Sequence, residues 1–131
     1  MRDDLLKRCV LGILAVGNLL NGMWMLIAPS HWYYHLPAAV PDSGPLNVHF
    51  VRDIGSAYFA CGVALALAVI LPSARLALLL TVTTFYGFHA LVHLFDIAKG
   101  HLPISHVYID IPGVFIPVLI LILVTWWIRK T

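Results

Sequence analysis

The chain has 131 residues, of which 61% are hydrophobic and 11% charged, and its net charge is +2. Eight Lys and Arg with six Asp and no Glu cannot cover the surface of a soluble helical domain of this size, so the composition excludes one and points to a membrane protein. No basic patch interleaved with aromatics accompanies the small positive balance, which argues against a nucleic-acid partner.

A membrane span needs roughly 20 mainly apolar residues. Four runs qualify, at about 9–28, 50–71, 76–97 and 107–128. The first, CVLGILAVGNLLNGMWMLIA, follows Arg2, Lys7 and Arg8. It is too long for the apolar stretch of a secretory signal and lacks a small-x-small cleavage site, so it is expected to be a permanent helix. Within it Asn18 and Asn21 are three apart, share a face and are expected to hydrogen-bond between helices. The next stretch, PSHWYYHLPAAVPDSGP, carries four prolines and breaks the helix. Span two opens with His49, Arg52 and Asp53 and ends at the PSAR turn; span three closes on GFHALVHLFD and is followed by KGHLPIS. Pro112 and Pro117 in IDIPGVFIP are expected to kink span four just below Asp110. Small residues at Gly12, Gly17, Gly22, Gly55, Gly62 and Gly87 would let helices approach closely. Cys9 and Cys61 fall in predicted spans and read as small core residues rather than a disulfide.

The expected fold is therefore all-α: one integral membrane four-helix bundle over residues 1–131, in the lipid bilayer of the inner (plasma) membrane, with antiparallel neighbours because two connections are short. Arg2, Lys7, Arg8, Arg75, Arg129 and Lys130 fall on one side of this topology and only Arg52 and Lys99 on the other. That asymmetry places both termini in the cytoplasm. A bundle this small also suggests a homo-oligomer.

Threaded through that topology, all seven histidines lie in the outer half, together with Asp42, Asp53, Asp96 and Asp110. Four of them are followed four residues later by His or Asp: His31–His35, His49–Asp53, His89–His93 and His106–Asp110. Random placement would give roughly one such pair. On a helix, residues four apart lie on one face. Ionisable groups inside a membrane are costly and count as a candidate functional site.

Imidazole and carboxylate in that pattern suit a transition metal: zinc, iron(II) or copper(II). The expected ligands are His49, Asp53, His89, His93, His106 and Asp110. Asp96 is either a ligand or the group that orients a histidine, with Arg52 as a neighbouring charge and His31 and His35 folding over from the loop. Met23 and Met25 leave copper(I) open. Such a site would serve a metal-dependent oxidoreductase or hydrolase. Three other readings stand beside it. One is a non-catalytic bundle whose His/Asp/Arg cluster is a structural hydrogen-bond network or oligomer contact, pairing Arg52 with Asp96, Asp53 with a histidine and Lys99 with Asp110. Another is haem held between His49 and His89. The last is metal-free proton transfer by a histidine beside an aspartate. The two H-x-x-x-H pairs resemble those of membrane di-iron hydroxylases and desaturases, but the H-x-x-H-H box of those families is missing.

LLNGMWMLIAP at the end of span one, RDIGSAYFACGVALALA through span two and HLFD near the end of span three resemble the DoxX-like group of small four-helix bacterial membrane proteins. The resemblance covers most of the chain. It implies a four-helix bundle, and some members of the group are linked to quinone-coupled oxidation of sulfur compounds. It implies nothing about the histidine pairs.

Overall fold

The computed structural model describes residues 2–130, and the side chain of Arg2, counted above among the cations, lies outside the described part. Four helices are long and apolar enough to cross a membrane. Helix α1 runs Arg2–Ile27, α3 Val48–Ile70 and α4 Arg75–Lys99. The fourth span begins at Ile111 and ends in α6, Ile116–Arg129. Two short helices lie between spans, α2 (Pro29–His35) and α5 (His106–Ile109). Large apolar side chains such as Ile13, Leu20, Ile70, Phe88, Leu91 and Leu123 are exposed on the outside of the bundle. Water would reject such a surface and hydrocarbon accepts it, so the chain is a multi-pass integral membrane protein.

The boundaries differ from the apolar runs where polar side chains supply what the chain needs. Helix α1 starts well before residue 9 because its charged first turns are paired four apart, Lys7 with Asp3 at 2.9 Å and Arg8 with Asp4 at 2.8 Å. Helix α3 starts at Val48 because the Asn47 side chain accepts from the Phe50 amide. Helix α4 ends at Gly100, whose φ of 76° is left-handed and suits a residue without Cβ. The proline-rich connection is not a plain break. Pro29 sits in the first turn of α2, where its missing N–H costs nothing, and a 3-10 turn follows at Val40–Ser43.

Helix α1 packs along α3, α3 against α4, and α4 against α6. Glycine explains the tightest of these approaches. A Cβ on Gly22 would lie 2.6 Å from the Phe59 amide nitrogen, one on Gly55 2.6 Å from Met25 Cβ, and one on Gly62 2.7 Å from Leu19. Gly12, Gly17 and Gly87 were also expected at contacts, but a Cβ there would meet nothing within 4 Å. Between α4 and α6 the bridge is polar, Thr83 to Thr125 at 3.0 Å. Leu11, Met25, Leu65, Leu79, Val82 and Leu121 fill the core. Cys61 is buried as expected, whereas Cys9 is exposed on α1.

Polar groups collect at both ends of the bundle. At the end where α1 begins, buried Arg75 donates to Asp4 at 2.9 Å and to the Ala68 carbonyl at 2.7 Å, and Lys7 lies over the Trp127 ring. The opposite end holds the histidines.

Candidate functional site

The fourth span does not continue smoothly from α5. After the single turn His106–Ile109 the backbone widens into a π-helical segment, Ile111–Phe115, carrying Pro112 and Gly113. Proline cannot supply an amide to the ladder, and the wider turn absorbs the mismatch. The consequence is positional: Asp110, just before the widened turn, is buried with both carboxylate oxygens engaged.

Asp110 Oδ2 lies 2.7 Å from His93 Nδ1 on α4, and Oδ1 lies 3.1 Å from His106 Nδ1. The second nitrogen of His106, Nε2, is 3.2 Å from Asp42 Oδ2 in the 3-10 turn. The four side chains thus form a line, Asp42, His106, Asp110, His93. It runs from a half-exposed carboxylate on the loop to a partly buried imidazole on a membrane helix. Burial alone would disfavour charged His106, but hydrogen bonds and charges from Asp110 and Asp42 on either side outweigh it and raise its pKa above the ordinary 6.5. Both His106 nitrogens face carboxylate oxygens, so Asp110 is shared by two imidazoles, and His93 uses Nδ1 for that bond rather than Nε2.

The same end carries a second set of contacts. His89, one turn from His93 with ring centroids 4.7 Å apart, shares a hydrogen bond of 3.1 Å with Tyr58. Tyr86 donates to Asn18 at 2.7 Å, which ties α4 to α1 as the asparagine pattern led one to expect. Asn21 instead accepts from Trp32 Nε1 at 2.9 Å, and Tyr33 donates its hydroxyl to the Gly44 carbonyl. These two bonds fold α2 and the following loop back over the bundle. Ala39 in that loop is held at φ 46°, a left-handed conformation that L-residues avoid, so tertiary contacts fix its path.

Beneath the loop lies a cavity of about 440 Å³, whose wall is mostly apolar. His89, His93, His106, Asp110, Tyr58 and Tyr86 contribute to one part of it. Ile13, Leu14 and Gly17 of α1 and Gly113, Val114 and Pro117 contribute to another, and α1 and α6 are not among the helix pairs that pack closely. Ile13 is 74% exposed. The cavity therefore reaches between α1 and α6, beside a side chain on the outer surface of the bundle.

The expected metal site is not formed. Among the described residues no group of three or more His, Cys, Asp or Glu is placed to hold a metal ion. A metal needs lone pairs converging on one point about 2 Å from each donor. Here His93 Nδ1 and both nitrogens of His106 are directed at carboxylate oxygens 2.7–3.2 Å away, at hydrogen-bond and not metal-ligand distances. The six expected ligands also divide. His93, His106 and Asp110 meet; His89 lies beside them but is turned to Tyr58; His49 and Asp53 pair with each other at 3.3 Å on the exposed face of α3. Zinc, iron and copper centres are therefore corrected to a hydrogen-bond network, and the metal-dependent oxidoreductase or hydrolase goes with them. The haem reading fails for a related reason: exposed His49 is paired with Asp53, and His89 Nε2 is engaged by Tyr58.

The auxiliary residues have their own partners. Asp96 pairs with His101 at 3.2 Å, not with Arg52, whose Nε donates to the Leu26 carbonyl. Lys99 lies over the Phe95 ring, not beside Asp110. His31 and His35 stack on each other, and Trp24 donates to His31, so neither reaches the site. Asp42, Tyr58 and Tyr86 were missed as site residues. Asp42 stands alone in a loop with no partner at helical spacing, and the tyrosines look like ordinary core aromatics; nothing in the sequence sets them apart. No family model, curated protein or solved structure matches this chain.

Proposed function

We propose that this chain is a membrane-embedded binding bundle that holds a small, lipid-soluble molecule beneath its histidine end. The cavity between α1 and α6 carries this reading: a concave, mostly apolar space with a few convergent polar groups is the usual form of a small-molecule site. In this reading the Asp42–His106–Asp110–His93 line is a latch that holds the loop over the cavity. The helices alternate in direction, as supported by Asp4 meeting Arg75 and Lys7 meeting Trp127 at one end while Asp42 meets His106 at the other. The excess of cations near the termini supports a cytoplasmic location for both. The DoxX-like resemblance belongs to this proposal for the bundle alone.

The test is photolabelling in lipid nanodiscs with a diazirine-bearing medium-chain alcohol, with adducts located by mass spectrometry. Saturable labelling confined to the residues around Ile13, Gly17 and Val114, and lost in Gly17→Trp, is the expected result. A Cβ at Gly17 meets nothing within 4 Å, so the added side chain starts in open space. Unsaturable labelling spread along every lipid-facing helix would rule the reading out.

A further inference from the structure

A latch needs one ion pair, yet four side chains stand in line here, and the line has two unlike ends. Asp42 is 42% exposed on the loop, while His93, at the other end, faces the cavity. Every link between them is a hydrogen bond of 2.7–3.2 Å between an imidazole nitrogen and a carboxylate oxygen. Carboxylates and imidazoles in alternation are the groups that pass protons at neutral pH, and chains of them in membrane helices are a recognised form of proton relay. The groups facing the line do not divert it: His89 is engaged with Tyr58, and Tyr86 with Asn18.

We propose that the Asp42–His106–Asp110–His93 line is a proton path between the cavity and the aqueous surface, and that the cavity ligand is a lipophilic weak acid such as a phenol or enol. This rests on the binding reading above. The ligand class follows from the wall. The mostly apolar lining selects for an apolar body, and His93 Nε2, with Asp110 behind it, offers a lone pair to a hydroxyl that can give up its proton. In the outward step the ligand O–H bond breaks and an N–H bond forms at His93 Nε2. The Nδ1 proton of His93 passes to Asp110, and His106, whose Nδ1–H stays on Asp110, gives its Nε2 proton to Asp42 and water. One proton enters the line and one leaves. His93 is then the Nε2–H tautomer, Asp110 carries a proton and His106 is neutral, and the next proton travelling inward, onto His106 Nε2, restores all three.

The test uses an alkyl-substituted nitrophenol, whose ionised form has its own absorption band, bound to the protein in nanodiscs. A light-triggered acid pulse is applied outside, and the reprotonation of bound dye is followed. Asp110→Asn risks misfolding because its site is buried, so Asp42→Asn, on the loop, is the deciding variant. Reprotonation, measured per bound dye, is expected to slow at least tenfold in Asp42→Asn, and His93→Gln is expected to bind the dye in its un-ionised form only. Equal reprotonation rates in wild type and Asp42→Asn would overturn the proton path and leave the cavity reading standing. No saturable dye binding by the wild type, or binding unchanged in Gly17→Trp, would overturn both.

Discussion

The two ends of the bundle solve the same problem with different chemistry. At the end where α1 begins, Arg75 and Lys7 are buried and paired with Asp4, Asp3, backbone carbonyls and an indole face. A guanidinium keeps its charge throughout the physiological range, so Arg75 makes this end a fixed clamp. The other end uses His93 and His106 around Asp110, and imidazole is the side chain whose charge changes near neutral pH. The cavity lies at this second end. The difference teaches where to look for function: permanent charges hold a structure, whereas titratable ones beside a void can exchange something with it.

The largest expected effect comes from removing the shared acceptor. Asp110→Ala leaves two imidazoles without their partner and is expected to cost about 3–5 kcal/mol, as for a broken buried pair. Arg75→Met at the clamp end should cost a similar amount, read as lowered thermal stability in detergent. The comparison is sharpened by pH: the Arg75→Met loss should be the same at pH 6 and pH 8, since no histidine lies there.

Gly22→Leu comes next. Its side chain must enter a space where Cβ alone would lie 2.6 Å from backbone, so α1 and α3 are forced apart at about 1–3 kcal/mol. Both ends should weaken together, and monomer thermal unfolding measures it. A smaller effect is expected from Asp42→Asn, about 1 kcal/mol at most because Asp42 is partly solvated. Its sign with pH is definite. The folded pKa of His106 is raised by Asp42 and Asp110, so the stability it contributes is complete below about 6.5 and is lost as pH rises through the raised value. Wild-type thermal stability should therefore fall between pH 6 and 8, and Asp42→Asn should flatten that slope. The smallest effect belongs to the exposed pair: Ala at both His49 and Asp53 should change stability by less than about 0.5 kcal/mol.

Much of the frame was legible in the sequence. Four apolar runs of span length could only be helices, and Gly22, Gly55 and Gly62 did mark the α1–α3 contact. How the histidines and aspartates group was not legible: the expected cluster divides into separate pairs and one short line. A four-residue spacing places two side chains on one face without saying which way that face turns. His49–Asp53 has the same spacing as His106–Asp110; one turns outward and the other is buried. The π-helical segment that sets Asp110, and the loop that returns Asp42 across 64 residues to His106, depend on tertiary contacts that no local pattern encodes.

Nitrogen-15 NMR of the histidine side chains in the purified protein tests the shared carboxylate most directly, because the ring-nitrogen shifts report which nitrogen carries a proton. At pH 6 the expected spectrum has His106 protonated at both nitrogens and His93 carrying a proton at Nδ1, distinct from exposed His49. Asp42→Asn should alter the His106 signals before those of His93. If His93 and His106 instead showed the same averaged tautomers as His49, the line of hydrogen bonds through Asp110 would be contradicted, and with it the latch and the proton path.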